Sequence, residues 1–164
     1  MQPTFVANAA EEFRKLKGLV DRSLAQVSDQ QFFAQLDGET NSIAVVLQHL
    51  AGNMRSRWTD FTTSDGEKPD RNRDAEFELG AETTRADMMR RHEDGWRCLF
   101  DALAPLSDAD LARTVVIRGE PHSVMQAIHR QMSHYGYHVG QVVLLARHFA
   151  GADWKSLSIP RGKS

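Results

Sequence analysis

A single cysteine, Cys98, stands among 164 residues. It excludes an intrachain disulfide, a Cys-x-x-Cys redox pair and a cysteine-rich zinc site. Neither sign of charge dominates, since 20 Lys+Arg against 22 Asp+Glu leave a formal net charge of −2. That balance argues against a nucleic-acid binder that relies on a basic face, though not against a local patch. No apolar run approaches the roughly 18 residues of a membrane span. The longest, Ile43-Ala-Val-Val-Leu47, is core-sized. The first residues, Met1-Gln-Pro-Thr-Phe-Val-Ala-Asn8, lack a basic region followed by an apolar stretch, so no signal peptide is expected. With no export signal and no cysteine pair, the expected compartment is the cytoplasm, with neither membrane nor nucleic acid as partner.

The hydrophobic and charged fractions, 41% and 26%, are those of an ordinary soluble globular protein. The length suits one domain, residues 1–164, around a single core. The unspent chemical resource is a set of seven histidines.

Four long stretches read as helices. The first covers residues 4–27, where Val6, Ala9, Phe13, Leu16, Val20, Leu24 and Val27 recur at steps of three and four. Ser28-x-x-Gln31 opens a short turn carrying Phe32 and Phe33 inward, and Asp37-Gly38 is a turn. The second helix covers residues 42–62, with Ile43, Leu47, Leu50, Met54, Trp58 and Phe61 as its stripe and His49 in its apolar first half. Residues 63–74 have mixed charge and no apolar period, and read as a surface loop. The third helix begins near Glu82 or Thr83 and ends before Pro105, with Met89, Trp96, Leu99 or Phe100, and Leu103 buried. Ser107-x-x-Asp110 opens another short turn, and the β-branched run from Thr114 to Ile117 reads as a brief extended segment before Gly119. The fourth helix starts at a Ser123-x-x-Gln126 box, buries Val124, Ile128, Gln131, Tyr135, Val142, Ala146 and Phe149, and stops at Gly151. The tail, residues 152–160, is apolar enough to pack back on the body. The expected fold is all-α, an antiparallel four-helix bundle with short extra turns and an extended segment near 114–118.

His134 and His138 lie four residues apart on the fourth helix, one turn apart on one face, where two imidazoles can ligate one cation. The glutamate of a His-Glu-x-x-His protease is missing, because Tyr135, Gly136 and Tyr137 fill the gap. Taken alone, the pair fits surface or core histidines without a metal better than it fits a ligand pair, since seven histidines make a chance spacing of four easy. A third ligand is needed, and His49 is the best candidate, because an unpaired imidazole in an apolar run is costly. One hydrogen bond to a carbonyl would satisfy it as well as a metal would. The other four read as bystanders: His92 on a solvated charged face, His122 in a turn, His129 off the stripe, and His148 near a helix C-terminus.

The segment His134-Tyr-Gly-Tyr-His138-Val-Gly-Gln141 resembles the His-x-x-x-His-x-Gly-Gln pattern of the DinB/YfiT-like superfamily of metal-dependent enzymes. Leu47-Gln-His49-Leu50 looks like that superfamily's helix-two histidine. Ser42-Ile-Ala, Leu50-Ala-Gly-Asn-Met-Arg-Ser-Arg-Trp-Thr-Asp60, Arg118-Gly-Glu-Pro-His122 and Ser156-Leu-Ser-Ile-Pro-Arg-Gly162 are similar to one bacterial branch of it. The resemblance covers nearly the whole chain. It implies a DinB-like four-helix bundle with a divalent metal, zinc or nickel, on His49, His134 and His138. It also implies a homodimer, and thiol-dependent transferase or hydrolase chemistry with a low-molecular-weight thiol as cosubstrate.

Helical spacing makes Asn53, Arg57, Arg130, Gln131 and Gln141 candidates for the pocket wall or for support of the ligands. Arg57 and Arg130 fit solvated or interface positions equally. No residue stands out as a general base, so the catalytic residue is unknown at this level. Three readings compete: a metal-dependent enzyme, a catalytically silent metal-binding or stress-related bundle, and a metal-free interaction module. No carboxylate joins the three histidines in the motif, so a bound ion would keep its full double charge.

Overall fold

The structure, a computed structural model, describes residues 4–159. Among these it is mostly helical, with five α-helices and one two-stranded sheet. Helix α1 spans Phe5–Leu24. Thr4 caps it by accepting the Ala7 N–H, and the Asp108 carboxylate accepts the Phe5 and Val6 N–H groups from across the chain at 3.0 and 3.1 Å. Helix α2, Asp29–Phe33, starts with the expected Ser28–Gln31 box. Phe32 is fully buried there, while Phe33 is half-buried.

Helix α3, Ile43–Trp58, is buried on nearly all sides of its first half. It stops four residues short of the expected end. Thr59 is extended and Asp60 takes a φ of 49°, so the helical ladder cannot continue. Phe61 reaches the core from this turn. Helix α4, Arg85–Leu103, is capped by Thr84 and buries Met88, His92, Gly95, Trp96, Leu99 and Leu103. His92 is therefore core, not the solvated residue its charged neighbours suggested. Met88, His92 and Trp96 repeat at steps of four, and that phase outweighs the arginines around them. Met88, not Met89, is the fully buried methionine for the same reason.

Strand β1, Thr114–Ile117, confirms the extended segment and pairs antiparallel with a second strand, β2, Glu120–Ser123. Arg118 and Gly119 form the two-residue turn, both with positive φ, 59° and 76°. Helix α5, Val124–Ala150, starts at the Ser123–Gln126 box and ends where Gly151 takes a φ of 56°.

The four long helices share one core. α1 packs on α5, α3 on α4, α3 on α5, and α1 more lightly on α4. Phe13 sits at the centre, against Trp58, Trp96 and Tyr135. Gly95 lets α4 approach α3 closely, since a Cβ there would lie 3.2 Å from the Ala51 Cα. The tail returns as expected: Trp154 packs on the core, and Lys155 is tied to the Gln26 amide. Pro160 lies outside the described residues. No described helix is long and apolar enough to cross a membrane.

Candidate metal centre

The α3–α5 contact brings His49 to His134 and His138. One ligand atom from each lies within 4.8 Å of the other two. His49 Nε2 and His134 Nε2 are 3.3 Å apart. Two nitrogens each about 2.0–2.1 Å from one tetrahedral ion stand about 3.3–3.4 Å apart, so this edge already has the right length.

Two of the rings are set by their other nitrogen. His49 Nδ1–H donates to Glu76 Oε2 at 2.8 Å, and His138 Nδ1–H donates to Gln141 Oε1 at 2.8 Å. Each bond selects the tautomer whose Nε2 lone pair is free, as ligating histidines require. His138 Nε2 is buried with no hydrogen-bond partner among the described residues. An orphaned acceptor of this kind, facing two other imidazoles, fits a cation better than it fits a dry core. Burial, together with neighbouring positive groups, pushes the His134 imidazole down to about 3. Burial pulls His138 down too, against its bond to Gln141. The His134 and His138 imidazoles are thus neutral near pH 7, which is the ligating form.

Glu76 is the residue that sequence reasoning missed. It lies on a single 3₁₀ turn, Asp74–Phe77, directly after the supposed surface loop. That loop instead folds over α3. The Gly66 carbonyl accepts from Ser56 Oγ and from the Arg57 guanidinium, and Arg71 is only 5% exposed. Arg71 grips the Glu76 carboxylate with two parallel bonds, Nε to Oε1 at 2.7 Å and Nη2 to Oε2 at 2.8 Å. Burial would raise this carboxyl, but the His49 and Arg71 bonds outweigh it and keep it below its ordinary value. Gly52, on the α3 face below, makes room, because a Cβ there would overlap the Glu76 carboxylate. A carboxylate does therefore join the histidine set, through His49, contrary to the reading of an unneutralised site. Phe77, on the same turn, stacks on the His49 ring at 4.9 Å.

A cleft of about 340 Å³ opens beside the three imidazoles. Four of the five supporting candidates line it: Asn53, Arg57, Arg130 and Gln131. Gln141 does not line it and instead orients His138. Asn53 Oδ1 accepts from Tyr135 Oη at 3.0 Å, and Tyr135 Oη accepts from Trp58 Nε1 at 3.0 Å, so a buried relay locks this wall. Arg57 is buried, not solvated, and Glu67 accepts from it at 2.9 Å. The Glu67 carboxyl, raised by partial burial, is held at about 2 by bonds from Arg118 and Arg57.

The family model described as "Protein of unknown function (DUF1572)" matches residues 1–163. The chain belongs to this family. The family falls within the DinB/YfiT-like group that the histidine pattern resembles. No curated protein and no solved structure matches the chain.

The remaining histidines stand apart from the centre. His92 is buried in the α1–α4 region, where its Nε2 accepts from Trp96 Nε1 at 3.1 Å. His129 packs edge-on against Phe5, His122 bonds the Glu120 carbonyl, and His148 is exposed at the end of α5.

Proposed function

We propose that this protein is a metal-dependent enzyme with the four-helix-bundle architecture of the DinB/YfiT-like superfamily. One divalent ion, zinc or nickel, is held by His49, His134 and His138, and the reaction class is thiol-dependent group transfer or hydrolysis. The observation that carries the metal reading is the orphaned His138 Nε2 beside two other ring nitrogens, with all three ligand atoms within 4.8 Å. A divalent ion on these three imidazoles would supply a Lewis acid that polarises a carbonyl or acidifies a bound water or thiol.

The chain's own residues do the rest. Glu76 and Gln141 accept the Nδ1 protons of His49 and His138 and so hold both rings in one tautomer and orientation. Arg71 anchors Glu76, and Gly52 admits it. The Trp58–Tyr135–Asn53 relay keeps the cleft wall rigid. The open cleft supports an enzyme over a closed structural site, because closed sites leave no space for a substrate. The same proposal includes a homodimer, supported by exposed Met125, Tyr137 and Leu144 along α5.

Elemental analysis of protein purified without a His tag tests the metal. The expected result is about one ion per wild-type chain and none for His134→Ala. One ion per chain in His134→Ala refutes the three-histidine site. Turnover separates enzyme from silent binder: metal-loaded protein is screened with a thiol plus an electrophile, and with esters and amides. Activity that survives metal removal unchanged refutes the metal mechanism.

A further inference from the structure

We infer that the cleft beside the three histidines is an anion clamp, in which Arg73, Arg118 and Arg130 take the carboxylate or phosphate group of a small organic substrate. This inference deepens the proposed function and rests on it for the reacting end of the substrate, which lies at the imidazoles. It does not rest on it for the anion.

Five arginines line this one cleft, in a protein whose formal net charge is −2. Arg57 and Arg71 are committed to Glu67 and Glu76. Arg73, Arg118 and Arg130 each keep donors that are uncommitted among the described residues. Arg130 has no hydrogen bond or ion pair among the described residues, although it shares a helix face with His134, four residues on. Among the described residues the Arg73 guanidinium pairs only with the exposed Asp74 carboxylate, at 3.7 Å. Its guanidinium lies 5.3 Å from the Phe77 ring centroid, and Phe77 in turn stacks on His49. Arg118 gives its Nε to Glu67, which Arg57 and Arg71 already share, and its terminal nitrogens carry no bond among the described residues.

The backbone at Arg118 points the same way. Its φ of 59° lies in the left-handed region, where a hairpin turn ordinarily uses Asn, Asp or Gly. The strained turn is held from outside, because the Asp65 carboxylate accepts the Arg118 N–H at 2.8 Å and the Gly119 N–H at 2.7 Å. Strain maintained by a dedicated partner marks a residue placed for function rather than for the turn.

The cleft floor also carries unspent polar atoms. Arg57 and Gln131 are each 3% exposed, and Arg57 Nε, a donor open to an anion, and Gln131 Oε1, an acceptor that an anion cannot satisfy, have no hydrogen-bond partner among the described residues. The planar guanidinium fork matches carboxylate and phosphate oxygens in pairs.

The test is calorimetric titration of the metal-free protein at constant ionic strength, with inorganic phosphate and, separately, with succinate. The expected result is that one of the two binds to wild type, which also tells phosphate from carboxylate. Arg130→Gln and Arg118→Gly are each expected to weaken it by about tenfold or more. Arg118→Gly also controls for folding, since glycine accepts the positive φ and the melting temperature should not fall by more than the loss of one exposed ion pair allows. Failure of both anions to bind wild type overturns the clamp, and so does unchanged affinity in either variant. A parallel zinc titration keeps the two readings apart: wild type that binds the anion but no zinc refutes the metal centre and supports the clamp.

Discussion

Glu76→Gln isolates what the buried carboxylate does for the histidines. The substitution keeps the shape and one oxygen that can accept the His49 Nδ1–H. It removes the negative charge that balances Arg71 and replaces one of the two oxygens in the Arg71 grip with an amide that cannot accept. Two consequences differ in size. Losing one charge-assisted bond at a site where both side chains are under 10% exposed costs about 2 kcal/mol, because Arg71 retains Glu67. For a chain of this length that lowers the melting temperature by about 4–8 °C. The effect on the metal is separate. Loss of a carboxylate behind a ligating histidine costs about 10- to 100-fold in affinity, or about 1.5–3 kcal/mol. The assay is zinc competition against a chromophoric chelator, run beside thermal unfolding of the metal-free protein. A variant that melts lower yet binds zinc as wild type does would refute the idea that Glu76 orients His49. The carboxylate would then be a structural anchor for the loop alone.

Gly52→Ala reaches the same carboxylate from below. The new methyl group must displace Glu76, so weakened zinc binding is expected with every charged residue intact, and normal affinity would count against the close fit. Burial lowers His92 to about 4 in the fold, while the unfolded chain takes up its proton near the ordinary 6.5. Its contribution to stability is therefore complete above about pH 6.5, falls as pH drops toward 4, and levels off below, a loss of about 3 kcal/mol. Urea unfolding of wild type and His92→Gln between pH 7 and 4 should show a steeper fall in wild type, and parallel curves would refute the assignment. Tyr135→Phe breaks the bonds to Trp58 and Asn53 and leaves both buried groups unpaired, so a loss of about 1–3 kcal/mol is expected by denaturant titration. Light scattering at micromolar concentration should report a dimer mass, and a monomer would remove that part of the proposed function.

Much of the helical framework is legible in the chain because local rules govern it. The boxes at Ser28 and Ser123 and the stop at Gly151 each involve groups a few residues apart, and all three appear where the residues place them. The misreadings arise where a local pattern competes with distant partners. α3 ends early because Asp60 turns the chain to bring the 63–77 segment over the helix. His92 was hidden among charges that lie on the opposite face. β2 was missed because Pro and His have little strand preference, and only pairing with β1 makes the segment extended.

The sequence by itself determined the helices and the histidine pair on α5, because period, caps and the four-residue spacing are local properties. It also singled out His49, from the cost of an imidazole among aliphatic residues, without being able to aim it. Tertiary structure decided three things: that His49 meets His134 at 3.3 Å, that Glu76 stands behind it, and that arginines from four separate segments rim one cleft. Those positions are 85, 27 and up to 73 residues apart (Arg57 to Arg130), and no spacing rule operates over such distances. Only packing of α3 against α5, with the loop folded across both, brings such groups together, because burial of shared apolar surface sets their separation.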